Sequence, residues 1–312
     1  MISAVVVTYD SAGCIGHCLT SVREVLPGVE LIVVDNGSRD ETVAAARAVA
    51  PDAQVIEIGE NVGFGRACNI GAEAAAGHHL LFLNPDSSLL SADITRIDVL
   101  LAARPFGLIA PALEGELERR RAESSWITGY FNHTFETLRP REWRPRVRSS
   151  GDATSAWVSG AMLLVSREEF MRLGGFDPRF FLYYEDRDLS RRYREAGLPI
   201  QTTDAIHGRH AVGRSSASDG LCSWPAAWSL LGWIQYVAIH DDERAAKRLA
   251  RATLATLRVL RLGTHALAAT RWDRSQRKAR QLDELLAHVA ERSAGDDVRF
   301  CPDALRAVRG LI

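Results

Sequence analysis

Apolar runs alternate with amphipathic stretches over the first third of the chain. The runs are continuous, as expected for parallel strands that are buried on both faces. We predict strands at residues 4–9, 31–34, 54–58 and 79–83, with helices between them at 15–25, 42–50 and 66–76. Strands and helices alternating at this spacing predict an α/β sheet that is mostly parallel and flanked by helices.

Polar residues stand where each predicted strand ends. They are Thr8 with Tyr9, Asp35 with Asn36, Glu60 with Asn61, and Asn84 with Asp86. Ligands of parallel α/β sheets bind beyond the carboxyl ends of the strands, so these residues predict a binding crevice. Asp35 is suited to accept a hydrogen bond from the N–H of a pyrimidine base. Asp86 is the kind of oxygen ligand that Mg²⁺ and Mn²⁺ prefer.

The glycines after the third strand invite comparison with a dinucleotide-binding fingerprint. The stretch Asn61-Val-Gly63-Phe-Gly65-Arg66 lacks the third glycine and does not follow the first strand. It therefore argues against a nicotinamide-dependent oxidoreductase. We expect instead that Gly63 and Gly65 let the backbone approach a ligand at a helix start, with Arg66 near its phosphates.

The second half of the chain has a different pattern. Residues 114–150 are rich in arginine and irregular, which predicts a functional or mobile loop. A strand pattern returns at 157–165, and a further short strand is expected at 200–206. His210, after that strand, is a second candidate metal ligand, and His207 is its rival.

Three carboxylates, Glu185, Asp186 and Asp188, follow an aromatic run within residues 174–197. The residues after them have helical spacing, and Gly197 is placed to end the helix. The helix dipole favours ionised carboxylates at this N-terminus, whereas crowding and partial burial raise at least one pKa. That balance suits a general base, although acidic residues at helix N-termini are more often ordinary capping residues.

From about Trp224 the chain becomes helical, and its helices are basic. Between residues 244 and 280 there are eleven Lys or Arg against one acid, Asp273. Six of them share one predicted helix face: Arg244, Lys247, Arg248, Arg251, Arg258 and Arg261. A solvated face is the more ordinary interpretation, and a surface for anionic lipid is the alternative.

The composition of the chain narrows the classes of protein to which it can belong. The 312 residues are 46% hydrophobic and 25% charged, with a net charge of −1, which fits a globular protein without general attraction to nucleic acid. The five Cys are scattered without a Cys-x-x-Cys pair, which predicts free thiols in a reducing compartment. We see neither a signal peptide nor a membrane span and expect a cytoplasmic protein.

Taken in order, the motifs resemble those of the family 2 glycosyltransferases of the GT-A fold. They are Val-Val-Thr-Tyr, Val-Val-Asp-Asn-Gly-Ser, Asn-x-Gly-Phe-Gly-x-Ala-x-Asn-x-Gly, Asn-Pro-Asp, Ser-Gly-Ala-Met-Leu-Leu-Val, Gly-Gly-Phe-Asp-x-x-Phe-Phe-x-Tyr-x-Glu-Asp-x-Asp-Leu and His-x-x-Gly-x-Ser. Asn-Pro-Asp departs from the commoner Asp-x-Asp metal motif. The set looks most like the bacterial rhamnosyltransferase branch, although galactofuranosyltransferases share it.

The resemblance covers about residues 1–220 and implies a domain organisation. A nucleotide-binding half spans about 1–112, an acceptor and catalytic half spans about 113–220, and residues 221–312 form a helical C-terminal extension. It also implies an inverting, metal-dependent transfer of a sugar, such as the deoxysugar rhamnose, from a dTDP- or UDP-linked donor to a hydroxyl group. The acceptor is a carbohydrate, a lipid-linked molecule or a small molecule, and peripheral contact with the inner membrane face is expected for a lipid-linked one.

The resemblance assigns a role to each matching position. Asp186 would be the catalytic base, and Asp86 with His210 would hold Mg²⁺ or Mn²⁺. The nucleotide-sugar would contact Thr8, Tyr9, Asp35, Asn36, Asn61, Gly63, Arg66, Asn69 and Asn84. The transferred sugar or the acceptor would contact Trp157, Ser159, Gly160 and Glu185.

Two alternatives keep the same fold. One is a nucleotide-sugar-binding module without catalysis, against which the presence of both Asp86 and Asp186 speaks. The other is a transferase that uses another donor, such as UDP-galactofuranose.

Overall fold

A computed structural model describes residues 1–103, 105–114, 153–154, 157–211, 224–268, 273–294 and 301–309. The predicted loop at 114–150 lies outside these residues except for its first position. The chain divides into two compact units. One contains Met1–Asp177 and Asp186–Ser216, and the other contains Pro178–Glu185 and Ala217–Ile312. The boundary near residue 220 that the motifs suggest stays a prediction.

The first unit begins with the predicted alternation of strands and helices. Its elements are β1 (Ile2–Thr8), α1 (Ile15–Val25), β2 (Glu30–Asp35), α2 (Thr42–Val49), β3 (Gln54–Glu57), α3 (Phe64–Ala74) and β4 (His79–Leu83). The strands lie side by side in the order β3-β2-β1-β4, and each neighbouring pair is parallel. This confirms the parallel sheet that the apolar runs predicted, and every element end lies within two residues of its prediction.

The rest of the unit converts this sheet into a mixed one. The elements are β5 (Ser87–Ala92), α4 (Ile94–Ala102), β6 (Leu108–Glu114), β7 (Ala153–Thr154), β8 (Met162–Ser166), α5 (Arg167–Arg172), α6 (Glu185–Glu195) and β9 (Ile200–His210). Among the described residues the sheet continues from β4 as β8-β6-β9-β5, with β7 beside β9. Strand β8 is antiparallel to β4, and β9 is antiparallel to β5 but parallel to β6.

The sequence pattern placed a strand at 157–165, but β8 starts only at Met162. The residues before Met162 donate backbone N–H groups to side-chain oxygens of α6. Val158 N donates to Ser190 Oγ over 3.3 Å, and Gly160 N donates to Asp186 Oδ2 over 3.2 Å. These bonds replace pairing with a neighbouring strand.

The sheet is buried on both faces, which explains the unbroken apolar runs. On β1, Ala4 and Val6 face one hydrophobic cluster, and Val5 and Val7 face the other. The second cluster is rich in aromatic rings. The ring centre of Phe82, on β4, lies 5.1 Å from the ring centre of Phe170 and 5.6 Å from that of Phe176.

The second unit is helical. It contains α7 (Trp224–His240), α8 (Glu243–Ala268), α9 (Asp273–Ala294) and α10 (Pro302–Val308). Gln235 is fully buried within apolar α7. It bonds backbone N–H groups in the first turn of α10, which have no acceptor within that helix. Its Oε1 accepts the backbone N–H groups of Asp303 and Ala304 at 2.9 and 3.0 Å, and its Nε2 donates to Asp303 Oδ2 at 2.7 Å. None of the helices in the described part of the chain is long and apolar enough to cross a membrane.

Candidate active site

The ends of β1 and β2 hold the candidate nucleoside site. Thr8 Oγ1 donates to Asp35 Oδ1 over 3.1 Å, and Ser38 N donates to Asp35 Oδ2 over 3.1 Å. The Ser38 hydroxyl donates to the same carboxylate. Asp35 is buried, and these donors fix the plane of its carboxylate. Tyr9, one residue beyond β1, is exposed.

Asn36 and Asn61 link the loop after β2 to the loop before α3. Asn36 Nδ2 donates to Asn61 Oδ1 over 3.0 Å, and Asn36 Oδ1 accepts Val62 N at 2.8 Å. Asn61 Oδ1 also accepts Gly63 N at 3.0 Å. Both predicted nucleotide-binding asparagines therefore have a structural task, which is to hold the backbone that leads into α3.

The two loops approach each other so closely that one residue must be glycine. Gly37 has a φ of 80°, and a Cβ there would lie 2.7 Å from the carbonyl carbon of Glu60. Gly63 precedes α3 and caps it without a side chain, and Arg66 lies half-buried in the first turn. Free backbone N–H groups and an arginine at a helix start suit a phosphate group.

Asn69, also predicted to contact the nucleotide, bonds the backbone of Phe176 with its side chain. Its Nδ2 donates to Phe176 O over 2.8 Å, and its Oδ1 accepts Phe176 N at 2.9 Å. The side chain thus ties α3 to the Gly-Gly-Phe turn. Both polar atoms of Asn69 are engaged there, which accounts for this residue without a ligand.

The pairing of β5 with β9 brings the two candidate metal ligands together. Ser87 lies opposite His210 in the register, so Asp86 lies beside the end of β9. Asp86 Oδ1 is 3.1 Å from His210 Nε2, and Ala211 N donates to Asp86 O over 2.9 Å. His207 pairs instead with Ser91, further along the strand.

Asn84 contacts the same imidazole nitrogen of His210 as Asp86 does, and the two contacts require different states of that nitrogen. Asn84 Nδ2 is 3.1 Å from His210 Nε2, a contact that needs a lone pair on the imidazole nitrogen. The Asp86 contact at the same atom needs a proton or another positive charge there. A divalent cation between Nε2 and Oδ1 would take the imidazole lone pair and pair with the carboxylate, and the Asn84 amide would then bond elsewhere.

The donor set fits a divalent cation of the Mg²⁺ or Mn²⁺ kind. Two neighbouring ligands of an octahedral ion, each at about 2.1 Å, lie about 3.0 Å apart, and Asp86 Oδ1 and His210 Nε2 are 3.1 Å apart. A carboxylate with an imidazole suits Mn²⁺ in particular. The described residues contain no cluster of three or more His, Cys, Asp or Glu side chains that could hold a metal ion. Such ions commonly take their remaining ligands from water and substrate phosphates.

Asp186 lies in the first turn of α6, against the segment before β8. Its Oδ2 accepts Gly160 N at 3.2 Å, and its Oδ1 accepts Arg187 N at 2.8 Å. A Cβ on Gly160 would lie 3.3 Å from the Phe64 ring and 3.6 Å from Asp186 Cβ. Burial raises the pKa of the Asp186 carboxyl above its ordinary value, although Arg187 and the two backbone N–H groups lower it.

The structure separates the three neighbouring carboxylates. Asp188 is fully buried and accepts both Nε and a terminal nitrogen of Arg192, at 2.8 and 2.7 Å. Arg192 also donates to Leu173 O and Gly175 O, each at 2.7 Å. Glu185 is buried and belongs to the second unit. Asp186 is the member whose carboxylate is held mainly by backbone N–H groups.

Three of the four predicted sugar and acceptor residues, Trp157, Ser159 and Gly160, lie in the first unit, in the segment before β8 that contacts Asp186. The guanidinium carbon of Arg187 lies 4.5 Å from the centre of the Trp157 ring. Ser159 Oγ accepts Ala161 N at 3.3 Å, which shapes the turn around Gly160. Phe64, Arg187 and Arg192 were not predicted as site residues. Two of them left a sequence signal, since Phe64 lies within the Asn-x-Gly-Phe-Gly motif and Arg192 stands four residues after Asp188 on a helix.

A family model described as "Glycosyl transferase family 2" matches residues 3–146. The N-acetylglucosaminyl-diphospho-decaprenol L-rhamnosyltransferase of Mycobacterium tuberculosis is 31% identical over 218 residues, which are 61% of this chain and 70% of the relative. The chain is a family 2 glycosyltransferase. The motif-based assignment is thereby confirmed.

Solved structures place this glycosyltransferase in the GT-A fold. The structure of GalNAc-T7 with UDP, GalNAc and Mn²⁺ superposes with a TM-score of 0.58 at 16% identity and covers 81% of this chain. This chain spans only 50% of GalNAc-T7. The mannosyltransferase from Pyrobaculum calidifontis, solved with GDP-Man and Mn²⁺, gives a TM-score of 0.55 at 19% identity over 95% of this chain and 88% of its own.

Proposed function

We propose that this glycosyltransferase moves a deoxysugar, L-rhamnose, from a nucleoside diphosphate donor to a hydroxyl group of a lipid-linked acceptor. The observation that carries the chemistry is the 3.1 Å approach of Asp86 Oδ1 to His210 Nε2 beyond the parallel strands. The choice of rhamnose is supported by the mycobacterial relative, which is named as a rhamnosyltransferase.

The donor would lie along the carboxyl ends of β1, β2 and β4. Asp35, oriented by Thr8 and Ser38, would accept an N–H of the base. Arg66 and the first turn of α3 would contact the phosphates. A divalent cation held by Asp86 and His210 would neutralise the charge that develops on the diphosphate leaving group.

Asp186 would act as the general base. Its carboxylate takes the proton of the acceptor hydroxyl while that oxygen forms a bond to the anomeric carbon. The bond from the anomeric carbon to the diphosphate breaks on the opposite side, so the nucleoside diphosphate leaves and the anomeric configuration inverts. Desolvation, which raises the pKa of Asp186, makes it a stronger base than an exposed aspartate.

The acceptor is proposed by analogy with the same relative, whose name includes a diphospho-decaprenol carrier. A carrier of that kind resides in a bilayer, so this enzyme would work as a peripheral protein on the inner membrane face. A soluble carbohydrate or small-molecule acceptor would require no such contact.

Calorimetric titration and a turnover assay test the proposal together. We expect dTDP-rhamnose to bind more tightly with Mn²⁺ than without it, and more tightly than UDP-galactofuranose. Asp186→Asn should bind the donor almost normally but lose turnover by about a thousandfold, at the level of a lost general base. Equal loss of binding and turnover in Asp186→Asn would contradict its role. Metal-dependent binding without turnover on any acceptor would favour a binding module.

A further inference from the structure

Helix α8 carries an exposed row of residues, which we call the basic stripe. It consists of Arg244, Arg248, Arg251, Ala252, Ala255, Arg258, Val259 and Leu262, all of them exposed. With 3.6 residues per turn these positions share about a third of the helix circumference. Ala246, Ala250, Leu254 and Leu257, on the other side, are buried in the helical unit.

The stripe differs from the basic face that the sequence predicted. Lys247 forms an ion pair with Glu243 at 2.6 Å, and Arg261 turns toward Asp283 of α9. Both of these cations are therefore partly neutralised within the unit. Arg244, Arg248 and Arg251 lie on the outward side together with Arg258, and none of the residues of the stripe is acidic.

Two large apolar side chains interrupt this charged row. Val259 is 69% exposed and Leu262 is 71% exposed, and they lie one helical turn apart. A single exposed apolar residue needs no explanation. A pair of them within a row of arginines places cations and apolar side chains on one surface, and an anionic membrane interface attracts both kinds of group.

We propose that the basic stripe binds the surface of a bilayer that contains anionic phospholipid. The arginines would contact the lipid phosphates, and Val259 and Leu262 would enter the region between the headgroups. The stripe is about 27 Å long, at 1.5 Å per residue, so several headgroups fit beside it. The chain as a whole has a net charge of −1, so the attraction must come from the stripe and not from overall charge. This inference does not depend on the transferase chemistry.

Sedimentation of the full-length chain with vesicles tests the inference without donor or acceptor. We expect binding to phosphatidylcholine vesicles that contain about a third phosphatidylglycerol, and much weaker binding to phosphatidylcholine alone. Each arginine near an anionic surface contributes about fivefold, so Arg248→Gln with Arg251→Gln should weaken binding about twenty-fivefold. Val259→Gln with Leu262→Gln should weaken it about tenfold, because the apolar contribution is lost.

Matched controls come from exposed residues of the first unit. Arg39→Gln with Arg194→Gln removes the same charge, and Val99→Gln removes an apolar side chain that is also 69% exposed. Neither control should change vesicle binding. Equal loss in the controls, or no preference for anionic vesicles, would overturn the proposal. So would self-association of the chain that the stripe variants abolish, since that outcome assigns the surface to a second copy.

Discussion

Arg192 places two of its guanidinium nitrogens on a single oxygen of Asp188, at 2.8 and 2.7 Å, four residues apart on α6. The same guanidinium donates to the carbonyls of Leu173 and Gly175. Asn69 holds the next residue, Phe176, from the side of α3. The Gly-Gly-Phe turn is thus fastened to two helices, and one of them carries Asp186.

We predict that Asp188→Ala destabilises the protein by about 3–5 kcal/mol, because it leaves a largely buried guanidinium without its carboxylate. The control is Glu195→Ala on the same helix, whose pair with Arg191 is half exposed and should contribute below about 1 kcal/mol. Denaturant unfolding of both variants measures the difference. Equal effects would show that the Asp188 pair does not fasten the turn.

Asp186→Asn should abolish turnover without loss of stability, whereas Asp188→Ala should destabilise the fold. Burial raises the pKa of Asp186, so its ionised form costs folding free energy above that pKa. A neutral asparagine removes this cost while abolishing the base. We expect unfolding free energy at pH 7 to stay equal or rise while turnover is lost. A clear loss of stability would indicate a structural role for Asp186 instead.

Gly160 is predicted to be intolerant of even one methyl group. In Gly160→Ala the new Cβ would lie 3.3 Å from the Phe64 ring, so the ring or the Asp186 segment must shift. We expect kcat to fall about tenfold, in line with the sensitivity of catalysis to small displacements of the catalytic group. Gly13→Ala is the control, because a Cβ there has no neighbour within 4 Å. An unchanged kcat in Gly160→Ala would contradict the placement of the base.

The pH profile should report Asp186 and its neighbour Arg187. The base must be ionised, so kcat/KM falls as pH drops through the pKa of Asp186, which burial raises above the ordinary value of about 3.9. Arg187 lowers this pKa, so Arg187→Gln should move the acidic limb to higher pH. Arg187→Lys keeps the charge and should move it less. An acidic limb at the same pH in all three proteins would exclude Asp186 as the titrating group.

Local pattern was sufficient for the parallel half of the sheet. Strands such as β1 are buried on both faces, so every residue from Ala4 to Val7 is apolar and the run cannot be mistaken. Strand β5 left no such signal, because three of its six residues are serine and Leu90 and Ser91 are exposed. Asn84 and His210, which these strands bring together, are 126 residues apart. The family resemblance, and not hydrophobic patterning, predicted that Asp86 and His210 belong to one site.

The sequence allowed residues of the candidate site to be proposed, but it did not show which contacts each of them makes. Glu185, Asp186 and Asp188 are equivalent in a sequence, and only three-dimensional contacts distinguish a carboxylate paired with Arg192 from one held by Gly160 N. Likewise, the sequence predicted ligand contacts for Asn36, Asn61 and Asn69. In the structure their side-chain amide oxygens accept backbone N–H groups of loops and turns. Short polar side chains serve both tasks, and the choice depends on neighbours distant along the chain.

The affinity for Mn²⁺ in the presence of a nucleoside diphosphate, measured by calorimetry or electron paramagnetic resonance, is the most direct test of the metal site. We predict that Asp86→Asn and His210→Ala each weaken Mn²⁺ binding at least tenfold, in the range seen when metal-site residues are altered. His207→Ala, on the same strand but paired with Ser91, should bind Mn²⁺ as the unaltered protein does. Undiminished Mn²⁺ binding in both Asp86→Asn and His210→Ala would contradict the proposed metal site.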